Sequence, residues 1–237
     1  MTVGLFLDRA AWGANPALPR LGHVVPRAQF VGLVVHHTVI VLQDYDRDGF
    51  THGDVDDIKR YMRSLQTARP DLGLDVPYSF VVFQGSSEYD YVVCEGRGFE
   101  RTGAHTEGFN SSRWGVSLAG DFTTVVPTIG MLAGVRWVGG QLDDPGGARE
   151  TLAHRDTKAT ACPGDAAYPL LDRLQPPFVN PEEDDLRDDQ IPVLAAAIAE
   201  AIMAAKVPNH DYSTNEDTQV PFRTWCAWLK QGIESKP

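Results

Sequence analysis

His154 and Cys162 stand eight residues apart in Leu152-Ala153-His154-Arg155-Asp156-Thr157-Lys158-Ala159-Thr160-Ala161-Cys162-Pro163-Gly164. A second stretch able to bind metal lies far upstream, in Val34-Val35-His36-His37-Thr38. Two imidazoles and one thiolate make a borderline-soft ligand set that suits Zn²⁺. Three protein ligands leave the fourth tetrahedral position open for water, as a catalytic zinc requires. A fold that uses both stretches for one ion has to bring them together. Taken singly, each piece has a plainer reading: a strand-end histidine is ordinarily a polar terminus, and a lone cysteine a small buried hydrophobe.

With 237 residues, 43% of them hydrophobic, the chain can bury the core of one good-sized α/β domain and still carry a small appendage. Its formal net charge of -11 argues against a nucleic-acid partner, which rewards basic patches. It also argues against simple electrostatic adhesion to an anionic wall or membrane. No apolar run approaches the roughly 20 residues that span a bilayer, so no membrane insertion is expected. Met1 to Arg9 lacks a basic region and a long apolar core, so no signal peptide is expected. Cys94, Cys162 and Cys226 are widely spaced and odd in number, which disfavours a disulfide framework. Synthesis in a reducing compartment, the cytoplasm, follows as the expectation.

Val31–Val35, Ser79–Phe83, Tyr89–Cys94 and Gly115–Ala119 read as short buried strands bounded by glycine or polar turns. Asp54–Gln66 reads as an amphipathic helix: Ile58, Tyr61, Met62 and Leu65 share one face, and acids crowd the first turn. Thr128–Leu142 reads as a second helix, with Met131, Val135, Val138 and Leu142 on one face and glycines that weaken it. Strands mixed with helices imply an α/β fold with helices covering the faces of a sheet. Composition shifts at Pro176-Pro177 and then turns acidic from Asn180 to Gln190. The expected boundary therefore separates a catalytic domain, 1–177, from an acidic linker and helical C-terminal extension, 178–237. Within the latter, Ile191–Lys206 is an Ala-rich helix candidate. Trp225, Trp228 and Leu229 have helical spacing that favours a packed extension over a wall-binding element.

Further blocks give the two metal stretches a context. Arg9-Ala10-Ala11-Trp12-Gly13-Ala14 comes first, and Val76-Pro77-Tyr78-Ser79-Phe80 follows the histidine pair. Gly103-Ala104-His105, Gly108-Phe109-Asn110 and Gly115-Val116-Ser117-Leu118-Ala119-Gly120-Asp121-Phe122 precede His154. In this order and spacing the chain resembles the zinc-dependent N-acetylmuramoyl-L-alanine amidases of the phage-lysozyme and peptidoglycan-recognition-protein type, over residues 8–175. The resemblance implies a central mixed β-sheet flanked by helices. It selects His36, rather than His37, as the ligand that joins His154 and Cys162. It places Tyr78 on the family's catalytic tyrosine. Thr160 falls where the family uses Lys or Thr, and Thr there resembles the catalytic recognition proteins. His105 and Asn110 fall in the substrate-groove block, and Trp12 falls where a core anchor is expected. Ser117 falls where the cytoplasmic recycling amidases carry a glutamate.

The implied chemistry is hydrolysis of the amide between the muramic acid lactyl group and L-alanine. A zinc-bound water with a pKa near 7 would supply the nucleophile. The hydroxyls of Tyr78 and Thr160 would serve as neutral donors to the oxyanion. The expected partner is peptidoglycan, the expected state a monomer, and the expected role that of a phage endolysin or related bacteriolytic enzyme acting on the wall. Two alternatives stand beside it. One is a recognition protein that holds peptidoglycan without cleaving it, whose simplest mark, a lost zinc ligand, is missing here. The other is a cytoplasmic muropeptide-recycling amidase, which Ser117 disfavours. Asp44-Tyr45-Asp46-Arg47-Asp48-Gly49 opens like a calcium loop, but its twelfth position is Val55, so an acidic surface turn is the expected reading.

Overall fold

Six strands form one mixed sheet in a computed structural model of the chain, which describes residues 4–43, 52–142 and 150–174. In chain order they are β1 (Gly4–Leu7), β2 (Gly32–His37), β3 (Phe80–Gln84), β4 (Tyr91–Glu95), β5 (Trp114–Leu118) and β6 (Glu150–Ala153). Across the sheet they run β1-β4-β3-β5-β2-β6. All pairs are parallel except β3 with β4. Every residue of β2 is buried, which is why it reads as a continuous apolar run rather than an alternating one. All of these residues belong to the first of the two units into which the chain divides, Met1–Asn180. The extension, 178–237, and the acidic Asp44–Gly49 segment lie outside the described residues.

Helices cover both faces of the sheet. The first, α1 (Val55–Thr67), starts at Asp54, whose carboxylate accepts hydrogen bonds from the backbone N–H groups of Asp56 and Asp57. Such a cap stabilises a helix by about 1 kcal/mol. Ile58, Tyr61, Met62 and Leu65 pack with Trp12, Val81, Phe83, Val92 and Cys94 in one buried cluster. Trp12 is fully buried and donates its indole N–H to the Glu95 carbonyl at 2.8 Å, so it anchors the core as expected. The second helix, α2 (Ile129–Gly140), is capped by the Thr128 hydroxyl and lies on the opposite face, where Val82 points. A side chain at Gly134 would meet Val82 and Tyr91, so this glycine lets the helix approach the sheet closely. That close approach explains a residue that is otherwise a poor helix former.

Two strands, β1 and β6, lie outside the sequence expectation. Each is four residues long and sits at an edge of the sheet, so neither carries a readable alternation. The third α-helix, α3, is a single turn, His154–Thr157, that follows β6 directly. Among the described residues, no helix is long and apolar enough to cross a membrane.

Candidate functional site

The site forms at the C-terminal ends of parallel strands, where an open sheet leaves room for ligands. β2 runs further than the sequence pattern indicates and takes in both histidines, so their side chains point to opposite faces. His36 faces the side of Ser117, its register partner on β5. β2 and β6 pair with Val35 opposite Ala153, so the next residues, His36 and His154, stand side by side. Their ring centroids are 4.5 Å apart. The chain then turns through α3 and returns Cys162 to the same point. The Sγ of Cys162 lies 3.7 Å from the Nδ1 of His36. His36, His154 and Cys162 each offer one ligand atom, and these atoms lie within 4.8 Å of one another.

The loop that returns Cys162 is tied down at several points. The backbone N–H of Arg155 donates to the Cys162 carbonyl at 3.0 Å. Its guanidinium donates to the Ala161 carbonyl and pairs with Asp165. The Asp156 carboxylate accepts from the Ala153 N–H and the Tyr168 hydroxyl. On the other side, Thr38 holds the chain beyond β2: its hydroxyl accepts from the Gly120 N–H at 3.0 Å and meets the Tyr61 hydroxyl at 2.5 Å.

Burial sets the protonation of the three groups. It holds the imidazole of His36 well below the ordinary histidine range, helped by the neighbouring His105 and His154. It lowers His154 too, with Lys158 adding to the effect. It pushes the Cys162 thiol up to about 11, against the pull of the His37 N–H. The donor set is thus two neutral imidazoles and a thiol that a divalent cation can deprotonate. The Nε2 of His154 is buried and has no hydrogen-bond partner among the described residues. An orphaned buried nitrogen is costly unless something binds there, so the donor set fits a zinc ion.

Tyr78 stacks near this group, its ring centroid 5.3 Å from that of His36. Its phenol is pushed up to about 12 by burial first and then by Cys162, while the Ser117 hydroxyl opposes the rise. Ser117 is fully buried and close to Tyr78, yet its Oγ makes no hydrogen bond of normal geometry among the described residues. The Thr160 Oγ accepts from the Cys162 N–H at 3.3 Å, which leaves its own proton free to donate.

His105 is buried behind His36. Its Nδ1 is 3.1 Å from the Nε2 of His36, and its Nε2 is 3.3 Å from the Arg113 carbonyl. Burial pushes its pKa down to about 3. The Asn110 Oδ1 accepts from the backbone N–H groups of His105 and Thr106, at 2.8 and 3.0 Å, and so shapes the loop that carries them. Thr106 escaped the sequence reading; its hydroxyl lies 3.3 Å from His36 Nε2, and its only signal was adjacency to His105. His37 sits on the far face, where its Nδ1 accepts the Phe122 N–H at 3.2 Å.

No protein-family model matches the chain. Over 181 residues it is 37% identical to human N-acetylmuramoyl-L-alanine amidase, covering 72% of this chain and 28% of that protein. It is 35% identical to the mouse protein of the same name, covering 73% of this chain and 31% of that one. The chain therefore spans less than a third of the length of these mammalian relatives. Against peptidoglycan-recognition protein 1 of Holotrichia diomphalia it is 30% identical over 169 residues, covering 68% of this chain and 76% of that protein. Among solved structures, Drosophila PGRP-LB matches with a TM-score of 0.54 and 26% identity, over 71% of this chain and 93% of that one. The complex of peptidoglycan recognition proteins LCa and LCx with tracheal cytotoxin matches with a TM-score of 0.58 and 25% identity, over 71% of this chain and 95% of the matched chain.

Proposed function

Because the chain belongs to the family of N-acetylmuramoyl-L-alanine amidases and peptidoglycan recognition proteins, we propose that it hydrolyses peptidoglycan at the bond between muramic acid and L-alanine. The observation that carries this reading is the convergence of His36, His154 and Cys162, with ligand atoms within 4.8 Å of one another. These residues would hold Zn²⁺, which when bound lowers the pKa of water toward neutrality and polarises an amide carbonyl.

The remaining work falls to the chain's own groups. Tyr78 keeps its proton at any working pH, because burial raises its pKa to about 12. It is the neutral donor for the oxyanion that forms as the amide carbon becomes tetrahedral. Thr160 is a second donor, with its oxygen held by the Cys162 N–H and its proton unspent. The departing amine of L-alanine needs a proton, which Tyr78 or a water would relay. Asn110 keeps its side-chain NH₂ for a substrate, since only its Oδ1 is used by the loop.

Intact wall is the finer choice of substrate, as for an endolysin made in the cytoplasm and acting outside it. Ser117 supports this over the recycling enzymes, whose glutamate it replaces. Purified wall digested by the protein should gain free α-amino groups on L-alanine, detected by amine labelling and hydrolysis. A wall that binds the protein but gains no such groups would instead identify a recognition protein.

A further inference from the structure

We propose that His105 is a positioning residue: it takes the hydrogen bond from His36 Nε2 and so presents the other nitrogen, Nδ1, as a bare lone pair toward Cys162. The proposal rests on the reading of His36, His154 and Cys162 as zinc ligands.

The Arg113 carbonyl can only accept, and it lies 3.3 Å from His105 Nε2. A neutral imidazole carries one N–H, so His105 carries it at Nε2, and its Nδ1 is an acceptor. That Nδ1 faces His36 Nε2 at 3.1 Å, with the rings edge to face at 78°. Two bare lone pairs at this distance would repel, so His36 carries its hydrogen at Nε2. Its Nδ1 is then the free nitrogen, and that is the atom 3.7 Å from the Cys162 sulfur. A single backbone carbonyl thus sets the tautomer of both rings in sequence. The Thr106 hydroxyl lies 3.0 Å from His105 Nδ1 and 3.3 Å from His36 Nε2. A hydroxyl rotates to suit either neighbour, so Thr106 supports the arrangement without deciding it.

The position of the His105 ring is built into the backbone. A Cβ on Gly103, or on Gly115 of β5, would collide with the ring carbons. Both glycines therefore serve as a slot that admits the imidazole edgewise. The Asn110 Oδ1 holds the adjoining backbone from the other side. Both ring nitrogens are already engaged by protein atoms, which leaves the ring no polar atom for a substrate.

Chelator competition with Zn²⁺ alone, on the full chain, separates this role from a substrate contact. His105→Leu deletes the acceptor, and His105→Asn keeps an amide oxygen near the position of Nδ1. The expected result is zinc binding about 10- to 100-fold weaker in His105→Leu, as is typical when the partner of a ligating histidine is removed. His105→Asn should recover most of that loss, and the Co²⁺-substituted wild type and Asn variant should share one absorption spectrum. At saturating zinc, KM for a soluble muropeptide should be unchanged in both. Gly115→Ala, which pushes the ring from its slot without altering its chemistry, should weaken zinc binding in the same direction and covers the case of a Leu variant that does not fold. Wild-type zinc affinity in the Leu and Ala variants, or a raised KM with zinc affinity intact, would overturn the proposal. A wild-type protein that binds no zinc would overturn the ligand assignment itself, a distinguishable failure.

Discussion

The backbone N–H of His37 points at the sulfur of Cys162, 3.4 Å away. It links the end of β2 to the loop beyond α3, two segments that meet only in the folded chain. It also favours the thiolate, against the burial that pushes the thiol up to about 11. Zinc therefore has to displace the thiol proton to bind at Cys162.

One zinc per chain is expected after metal-replete expression, because three ligand atoms converge and a fourth position is left open. Cys162→Ala and His36→Ala should each lower the metal content sharply and abolish hydrolysis, as read by elemental analysis beside an activity assay. Full zinc occupancy in both variants would place the metal elsewhere.

Zinc binding at pH 8 should release close to two protons, one from the Cys162 thiol and most of one from the zinc-bound water, whose pKa falls to about 7. The sign follows from the shifts. Burial lowers the pKa of His36 and His154, so both imidazoles are already neutral and release nothing. The thiol, raised to about 11, is still protonated at that pH. Apparent affinity should then rise by more than about tenfold per pH unit from pH 7 to pH 9. Calorimetry in buffers of different ionisation enthalpy counts the protons directly, and a count of one or fewer would contradict a buried, protonated thiol.

Tyr78→Phe should keep its zinc and lose on the order of 10²-fold or more in turnover, the usual cost of deleting one oxyanion donor. Thr160→Val should show a smaller loss in the same direction. Steady-state kinetics on a soluble muropeptide, with metal content measured in parallel, makes the check. Near-wild-type turnover in Tyr78→Phe would remove the phenol from the mechanism.

Removing residues 178–237 should leave hydrolysis of soluble fragments intact. Every described strand and every assigned site residue lies upstream, ending with Cys162 and the short helical turn Tyr168–Leu174. A truncated protein with a lower Tm and lost fragment hydrolysis would make the extension part of the catalytic unit.

The central strands β2, β3, β4 and β5 were legible because each is a short, buried apolar run. The α1 helix was legible because Ile58, Tyr61, Met62 and Leu65 recur at helical spacing. The residues of the metal group were legible as motifs, but their meeting point was not. It depends on β6, whose Glu-Thr-Leu-Ala sequence is too short to show a period. Its register beside β2 is what sets His154 next to His36. The relation of His105 to His36 was hidden for a different reason. A histidine in a polar loop looks the same in sequence whether it faces a groove or backs a ligand. Only the glycine slot and the Arg113 carbonyl distinguish the two, and both are contacts made in three dimensions.

Zinc-dependent amide hydrolysis is tested most directly by mass spectrometry of one defined muropeptide incubated with zinc-loaded, chelator-stripped and zinc-restored protein. Cleavage is expected at the single bond between the lactyl group and L-alanine, lost on stripping and regained with one equivalent of zinc. Binding without cleavage, cleavage at another bond, or full activity in the stripped protein would contradict it.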